Sequence, residues 1–226
     1  MGELNLVTLI IIAVNVLISF KGFKDDSFFQ KYKFNIADIN RGAKYQILTS
    51  GFLHVNTTHL LVNMLTLYFF ANSVIFFLGT LGFILVYLAS LVLGNLLSYY
   101  FHKKDMHYTA VGASGAVMGV LYSAILLRPD MMLGLFFIIP VPAYIFGIGY
   151  LFYTIYGMKR QLGNIGHDAH FGGAVGGYLL TLLLASWVFE EHLLMVILLA
   201  LPILVLFVLQ KMGKIYDGRT NMERTL

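Results

Sequence analysis

The sequence GASGAVMG, residues 112–119, begins an apolar stretch and places one serine among small residues. A polar loop precedes it, and a run typical of a membrane helix follows. The hydroxyl of Ser114 is therefore predicted at a helix N-terminus, where the helix dipole and unpaired backbone N–H groups favour negative charge. Whether this serine performs chemistry depends on the groups that the rest of the chain brings to it.

The composition places this motif in a membrane. The chain has 226 residues, of which 59% are hydrophobic and only 12% charged, and its mean hydropathy is +0.80. Soluble domains carry roughly 25% charged residues. An all-α membrane protein with one compact helical domain is therefore expected. Cysteine is absent from the sequence, which excludes disulfides and thiolate metal sites.

Apolar stretches of about 20 residues predict membrane helices. We expect seven, at about 4–20, 58–78, 82–100, 114–127, 143–156, 169–188 and 193–209. The first lacks the features of a cleaved signal peptide and is expected to be retained. The fourth is short for a bilayer, so its N-terminus is expected below the membrane surface. The proline-containing segment 131–144 is expected to bend or re-enter the membrane, and the aromatic connection 21–50 to lie partly ordered at the interface.

Three groups of polar residues fall inside these spans, where such side chains are costly and point to function. His59 and Asn63 are four residues apart and share a helix face. Ser114 and His170 each lie at the start of a span. Each group also has a structural explanation that requires no catalysis. His59 and Asn63 could form interhelical hydrogen bonds, Ser114 could be a small packing residue, and His170 could be a solvent-exposed residue at a helix end.

The spacing of glycines supplies a reason for two of these groups to meet. Gly115 and Gly119 share one face of the serine helix, and Gly173 and Gly177 continue the face of His170. Gly112, just before the serine helix, is grouped with these four as a residue that supports helix packing. Small residues four apart let membrane helices approach closely. We therefore predict that these two faces pack together and bring the serine and the histidine to the same depth. The Oγ of Ser114 is then expected at roughly 2.6–3.2 Å from a ring nitrogen of His170, and further away when no substrate is bound.

That approach would assemble the parts needed for acyl transfer. An imidazole beside a hydroxyl acts as its general base, so His170 is the candidate base and Ser114 the candidate nucleophile. The developing oxyanion needs hydrogen-bond donors. The backbone N–H of Ser114 and the side chains of His59 and Asn63 are the candidates for this role.

Other site chemistries fit the sequence less well. His54 and His59 are five apart with no glutamate between them, so they lack the spacing of a zinc-protease helix, and no metal or cofactor is expected. Asp168, two residues before His170, points elsewhere on a helix and is expected to cap its N-terminus. The basic residues lie in loops and the tail, where lipid headgroups explain them, so no nucleic-acid partner is expected.

Taken together, three motifs in this order resemble those of rhomboid intramembrane serine proteases. They are His54…His59-Leu-Leu-Val-Asn63, Gly112-Ala-Ser114-Gly115 and Ala169-His170-Phe-Gly-Gly173. The resemblance covers most of the chain. It implies a rhomboid-like six-helix transmembrane core at 1–189, including the membrane-associated loop 21–50, and an additional C-terminal transmembrane helix with a basic tail at 190–226.

The resemblance also implies an activity. Ser114 and His170 take the places of the catalytic dyad, and His59, Asn63 and the Ser114 amide those of the oxyanion hole. The expected substrates are transmembrane proteins, cut in or near their membrane segments within the lipid bilayer, without a cofactor. Two positions depart from the family: Tyr45-Gln46 replaces a frequent Trp-Arg pair, and Met118 replaces an aromatic residue that packs on the histidine, where a thioether gives weaker support.

Two other functions and one question of orientation remain open. A rhomboid-like pseudoprotease would bind membrane proteins without cutting them, and a transporter would show an internal repeat, which we do not find. On the side of the first loop lie 14 of the 15 basic residues, and the positive-inside rule would make that side cytoplasmic. The family places it outside, and we expect the family orientation, in a bacterial cytoplasmic (inner) membrane.

Overall fold

The computed structural model of the protein describes residues 5–135, 139–160, 162 and 166–215. Within these residues the chain is largely helical, with short strands only in its connections. In chain order the elements are α1 (Leu6–Lys24), α2 (Asp26–Tyr32), β1 (Phe34–Asn35), α3 (Ile36–Asn40), α4 (Gln46–Thr49), a 3₁₀ helix (Ser50–Phe52), α5 (Thr57–His102), β2 (Thr109–Ala110), α6 (Ser114–Leu127), β3 (Met132–Leu135), β4 (Ile139–Pro142), α7 (Ala143–Arg160), α8 (His167–Leu184), α9 (Val188–Glu191) and α10 (Leu193–Lys211).

Helix α5 is long enough to cross a bilayer twice. Its 46 residues correspond to about 69 Å of helix, against about 30 Å of hydrocarbon. The helix breaks at Gly79, whose φ of 70° and ψ of 174° are not helical and suit a residue without Cβ. The spans predicted at 58–78 and 82–100 are thus the first arm (57–78) and second arm (80–102) of α5.

Three helices among the described residues are long and apolar enough to span a membrane, namely α1, α5 and α10. Helix α6 is apolar but shorter, at 14 residues. The protein is therefore an all-α membrane protein. The division into six core spans and a seventh helix stays a prediction.

Helix α6 lies at the centre of the bundle. All of its residues after Ser114 are buried, which matches a sequence that is apolar on every face. Its N-terminal residue, Ser114, is partly exposed. The nucleophile candidate is therefore the one residue through which this helix is open to its surroundings.

Helices α6 and α8 run in the same direction with their backbones in contact. A Cβ atom on Gly173 would overlap the carbonyl oxygen of Gly115, and one on Gly177 would overlap that of Gly119. Only glycine lets the two helices come this close, because any side chain would have to occupy space held by immobile backbone. The contact brings the first turns of α6 and α8 side by side.

A second glycine face of α8, which our sequence reading missed, packs on the second arm of α5. A Cβ on Gly172 would lie 2.9 Å from the Cα of Gly94, and one on Gly176 would lie 3.0 Å from the Cα of Ser90. The sequence held a signal for this contact, since each helix has its two small residues four apart. Helix α8 is therefore wedged between α5 and α6.

The segment before α7 is a hairpin, so the chain bends within 131–144 as we expected, and its entry into the membrane stays a prediction. Strands β3 and β4 pair antiparallel, with Met132 opposite Pro142 and Gly134 opposite Pro140; residues 136–138 lie outside the described residues. Each strand has a free edge, where proline is tolerated because no N–H is required of it.

The first loop is ordered by contacts that reach the serine motif. Strand β1 pairs with β2, just before α6, with Phe34 opposite Ala110. Gln46, which is buried, accepts a hydrogen bond from the N–H of Asn35 (3.1 Å) and donates to the carbonyl of Lys31 (3.1 Å). Gln46 thus anchors the loop from the position where the family often has the second residue of a Trp-Arg pair.

Candidate active site

The loop before Ser114 is held by hydrogen bonds to its backbone. The N–H of Gly112 donates to the carbonyl of Ser50 (3.0 Å), and the N–H of Ala113 donates to Nε2 of His54 (3.4 Å). The first N–H groups of a helix have no partner inside the helix. The backbone N–H of Ser114 is one of these, so it is positioned to bind an anion at the start of α6.

Gly112 supports this loop in a way that differs from our expectation. We grouped it with the glycines that pack helices, but it lies before α6 with φ of 132°. A Cβ on it would lie 2.6 Å from Cε1 and 2.9 Å from Nε2 of His59. Its missing side chain therefore makes room for the imidazole of His59 against the loop that carries Ser114.

Asn63 lies one turn after His59 on the first arm of α5. Its side chain is buried, and its Nδ2 donates to the backbone carbonyl of His59 at 3.1 Å. A carboxamide has two N–H donors, so this bond within the helix leaves the second for a ligand. The structure thus places the two predicted side-chain donors on one face, with His59 beside the serine loop.

His54 is a supporting residue whose role our sequence reading missed. Its ring is fully buried, and its Nδ1 lies 2.8 Å from the hydroxyl of Ser19 on α1. That hydroxyl donates to the carbonyl of Phe52, so it accepts the Nδ1–H of His54, which leaves Nε2 as the acceptor for Ala113. The neutral imidazole therefore ties α1 to the serine loop.

This burial gives a prediction on the pH dependence of stability. Burial, and secondarily His59, lowers the pKa of His54 from 6.5 to about 3. Below a pH of about 6.5 the unfolded chain therefore binds a proton at His54 that the folded protein does not bind. The free energy of unfolding consequently decreases as the pH falls from about 6.5 towards 3. The slope is at most about 1.4 kcal/mol per pH unit. Thermal unfolding in detergent between pH 7 and 5 measures it.

A His54→Gln variant is expected to be less stable at neutral pH but to lose less stability on acidification, because glutamine does not titrate. His107→Gln is the matched control, since His107 is exposed. Wild-type and His54→Gln curves that fall in parallel would show that His54 is not held neutral in the folded protein.

His170 lies in the first turn of α8 and is partly exposed. Its Nδ1 is 2.7 Å from the hydroxyl of Tyr150 on α7, a partner that the sequence did not single out. Within the described residues no hydrogen bond joins His170 to Ser114, although we expected a separation of about 2.6–3.2 Å. The two side chains occupy neighbouring helix starts, and catalytic hydrogen bonds often tighten only when substrate binds.

Asp168 does not cap α8, contrary to our expectation. The helix begins at His167, its N-cap is Gly166 and that cap makes no side-chain bond, so Asp168 lies in the first turn. Its buried carboxylate lies 3.4 Å from Nε2 of His102, at the end of α5. Asp168 therefore faces α5, and the histidine it contacts is not the candidate base.

Comparison with known proteins gives one matching domain family. The family model for the Rhomboid domain matches residues 41–187. RHOMBOID-like protein 12, mitochondrial, of Arabidopsis thaliana is 30% identical over 182 residues, covering 74% of this chain and 54% of that protein. Rhomboid protein 1, mitochondrial, of Saccharomyces cerevisiae is 32% identical over 157 residues, covering 67% and 45%.

A human relative matches a shorter stretch. Presenilin-associated rhomboid-like protein, mitochondrial, of Homo sapiens is 33% identical over 137 residues, covering 58% of this chain and 35% of that protein. The chain therefore spans about half the length, or less, of the curated relatives it matches. The activities of those longer proteins are assigned to this chain only as a proposal.

Proposed function

This chain belongs to the rhomboid family, whose members are generally intramembrane serine proteases, and from that membership we propose that it is a serine endopeptidase that cleaves transmembrane segments of membrane proteins. The resemblance read from the three motifs is confirmed at the level of the family. The nucleophile, the base and the oxyanion donors are our assignments.

In the proposed reaction, the hydroxyl oxygen of Ser114 attacks the scissile carbonyl while its proton passes to His170. The N–H of Ser114 and the side chains of His59 and Asn63 donate hydrogen bonds to the resulting oxyanion. His170 then gives its proton to the leaving amine, and water hydrolyses the acyl-enzyme by the same base. No metal or cofactor has a role in these steps.

One observation carries this proposal, namely the glycine contact that sets the start of α6 beside the start of α8. It supports a dyad because it leaves Ser114 and His170 at the same end of two parallel helices, both partly exposed. The ring of His59 lies against Gly112, in the loop that carries Ser114. A serine that served only for packing would not require the imidazoles of His59 on α5 and His170 on α8 in its surroundings.

We extend the proposal to the organisation of the chain in the bilayer. Residues 1–189, including the loop 21–50, form the catalytic core, and 190–226 add a C-terminal helix and tail, of which residues beyond 215 lie outside the described ones. The three relatives above carry mitochondrial names. They give no support to our expectation of a bacterial inner membrane.

A second candidate, a pseudoprotease that binds transmembrane proteins without cutting them, is favoured by one observation. The Ser114 hydroxyl makes no hydrogen bond to the candidate base among the residues described. A dyad that never closes would leave the serine unreactive, because a hydroxyl needs an adjacent base to become a nucleophile.

Reaction with a fluorophosphonate probe separates the two candidates. Such probes form a covalent bond only with an activated serine, so we expect one adduct on the purified protein, located at Ser114 by peptide mass spectrometry. Ser186→Ala, which removes an exposed serine just after the C-terminal end of α8, is expected to leave the labelling unchanged. Folded protein that never reacts, in detergent or in liposomes, would favour the pseudoprotease.

A further inference from the structure

The helix that follows the β3–β4 hairpin contributes a side chain to the candidate base. The hydroxyl of Tyr150 on α7 lies 2.7 Å from Nδ1 of His170, and the two rings are 6.0 Å apart at 30°. We propose that Tyr150 is the positioning residue of the general base. It selects the tautomer of the neutral His170 ring that carries its proton on Nδ1, which leaves Nε2 able to accept the serine proton. This inference rests on the proposed function and deepens it.

The register between α7 and α8 makes this contact specific. The helices run in opposite directions, and Tyr153, one turn after Tyr150, packs its ring on His167 at 5.3 Å. A Cβ on Gly157 would overlap the ring of His167, so the glycine is what admits that ring. Two tyrosines on α7 thus face two histidines on α8, but only Tyr150 bonds to the histidine in the candidate site.

The chemistry of imidazole gives this bond a role. A neutral ring carries one proton, and which nitrogen holds it is set by the hydrogen bond made at the other nitrogen. If the Tyr150 oxygen accepts Nδ1–H, Nε2 keeps its lone pair for the proton of Ser114. After that transfer the ring is an imidazolium with both nitrogens protonated, and the same oxygen still accepts Nδ1–H.

Neither Asp168 nor Met118 orients the ring of His170, and Tyr150 takes this role. Asp168 is directed towards His102 on α5, so it does not orient the base. In place of the family's aromatic residue on α6 stands Met118, which has no hydrogen-bond donor of its own. An aromatic ring and a hydroxyl reach His170 from α7 instead.

Removing only the hydroxyl tests the proposal. Tyr150→Phe is expected to lower kcat on a reporter transmembrane substrate roughly tenfold, as expected for one lost hydrogen bond, with KM unchanged. The acidic limb of the pH–kcat profile is expected to move to lower pH, because the imidazolium has lost an acceptor. The other titratable groups of the site are the same in both proteins: His59 from α5, and His167 and Asp168 on α8 itself.

Tyr153→Phe is the matched control, since it removes the neighbouring hydroxyl on α7 and is expected to change neither kcat nor the pH profile. Nitrogen-15 NMR of labelled histidine, assigned with His170→Ala, gives a readout that needs no activity. It is expected to show protonated Nδ1 in the wild type and a mixture of tautomers in Tyr150→Phe.

Three results would overturn the proposal: an unchanged kcat in Tyr150→Phe, an acidic limb that moves to higher pH, or a wild-type ring protonated on Nε2. The last two would mean that Tyr150 donates to Nδ1 instead of accepting from it. A wild type that neither cleaves nor reacts with fluorophosphonate would contradict the proposed function. The NMR result would then still decide for or against the tautomer held by Tyr150.

Discussion

Replacing Ser114 by alanine is expected to lower cleavage of a reporter transmembrane substrate by at least about 10³-fold, because the acyl-enzyme no longer forms. The change removes one oxygen from a partly exposed position at the start of α6, so folding is expected to be unaffected. Cleavage is measured in liposomes from the rate of appearance of the shorter product, and thermal unfolding checks the fold.

The same experiment tests whether serine and histidine act as a unit. His170→Ala is expected to lower the rate as far as Ser114→Ala does, and the double variant to be no slower than either, since groups acting in one step are strongly non-additive. Undiminished cleavage by Ser114→Ala would rule out this serine as the nucleophile. A double variant much slower than both would mean that the two residues act independently.

Adding one methyl group at Gly173 is expected to have the second-largest effect. The Cβ of a Gly173→Ala variant would meet the carbonyl carbon, oxygen and Cα of Gly115, which are backbone atoms that cannot turn aside. The helices must separate, at a cost of about 1–3 kcal/mol in stability. A shift of about 1 Å in the reacting groups costs a reaction up to roughly 10²-fold in rate. The kcat is therefore expected to fall by up to that factor in protein that is still folded. Thermal unfolding and kcat on the reporter substrate measure the two effects.

Gly149→Ala is the control for this substitution. Gly149 lies on α7, is exposed, and has nothing within 4 Å of a built Cβ. There alanine is expected to keep activity and to stabilise the helix by roughly 0.5–1 kcal/mol. If Gly173→Ala matched this control in both measurements, the helices would not be in backbone contact in the membrane.

Features governed by local periodicity were readable from the sequence. The limits of α6, at Ser114 and Leu127, follow from an apolar run bounded by glycine and by Arg128-Pro129, and the interruption near residue 80 proved to be the break at Gly79. The face formed by Gly173 and Gly177 was visible for the same reason. In each case the residues concerned are a few positions apart in one helix.

Features that depend on contacts between distant segments were not readable. His54 precedes α5, so helical periodicity says nothing about it, and its partners come from α1 and from the serine loop. Tyr150 is one of several aromatic residues on α7, and only the packing against α8 distinguishes it. The predicted N-cap role of Asp168 was wrong because α8 begins two residues earlier than the apolar pattern indicates.

The shortness and burial of α6 affect how the protein responds to lipid. Its 14 residues reach about 21 Å, less than the hydrocarbon thickness of about 30 Å, and a helix this short in direct contact with lipid would force the bilayer to thin around it. Because protein surrounds α6, hydrophobic mismatch acts instead on helices with apolar side chains on the outside, such as α1 and α10. Membranes of different thickness are then expected to tilt those outer helices while leaving the depth of Ser114 within the bundle unchanged.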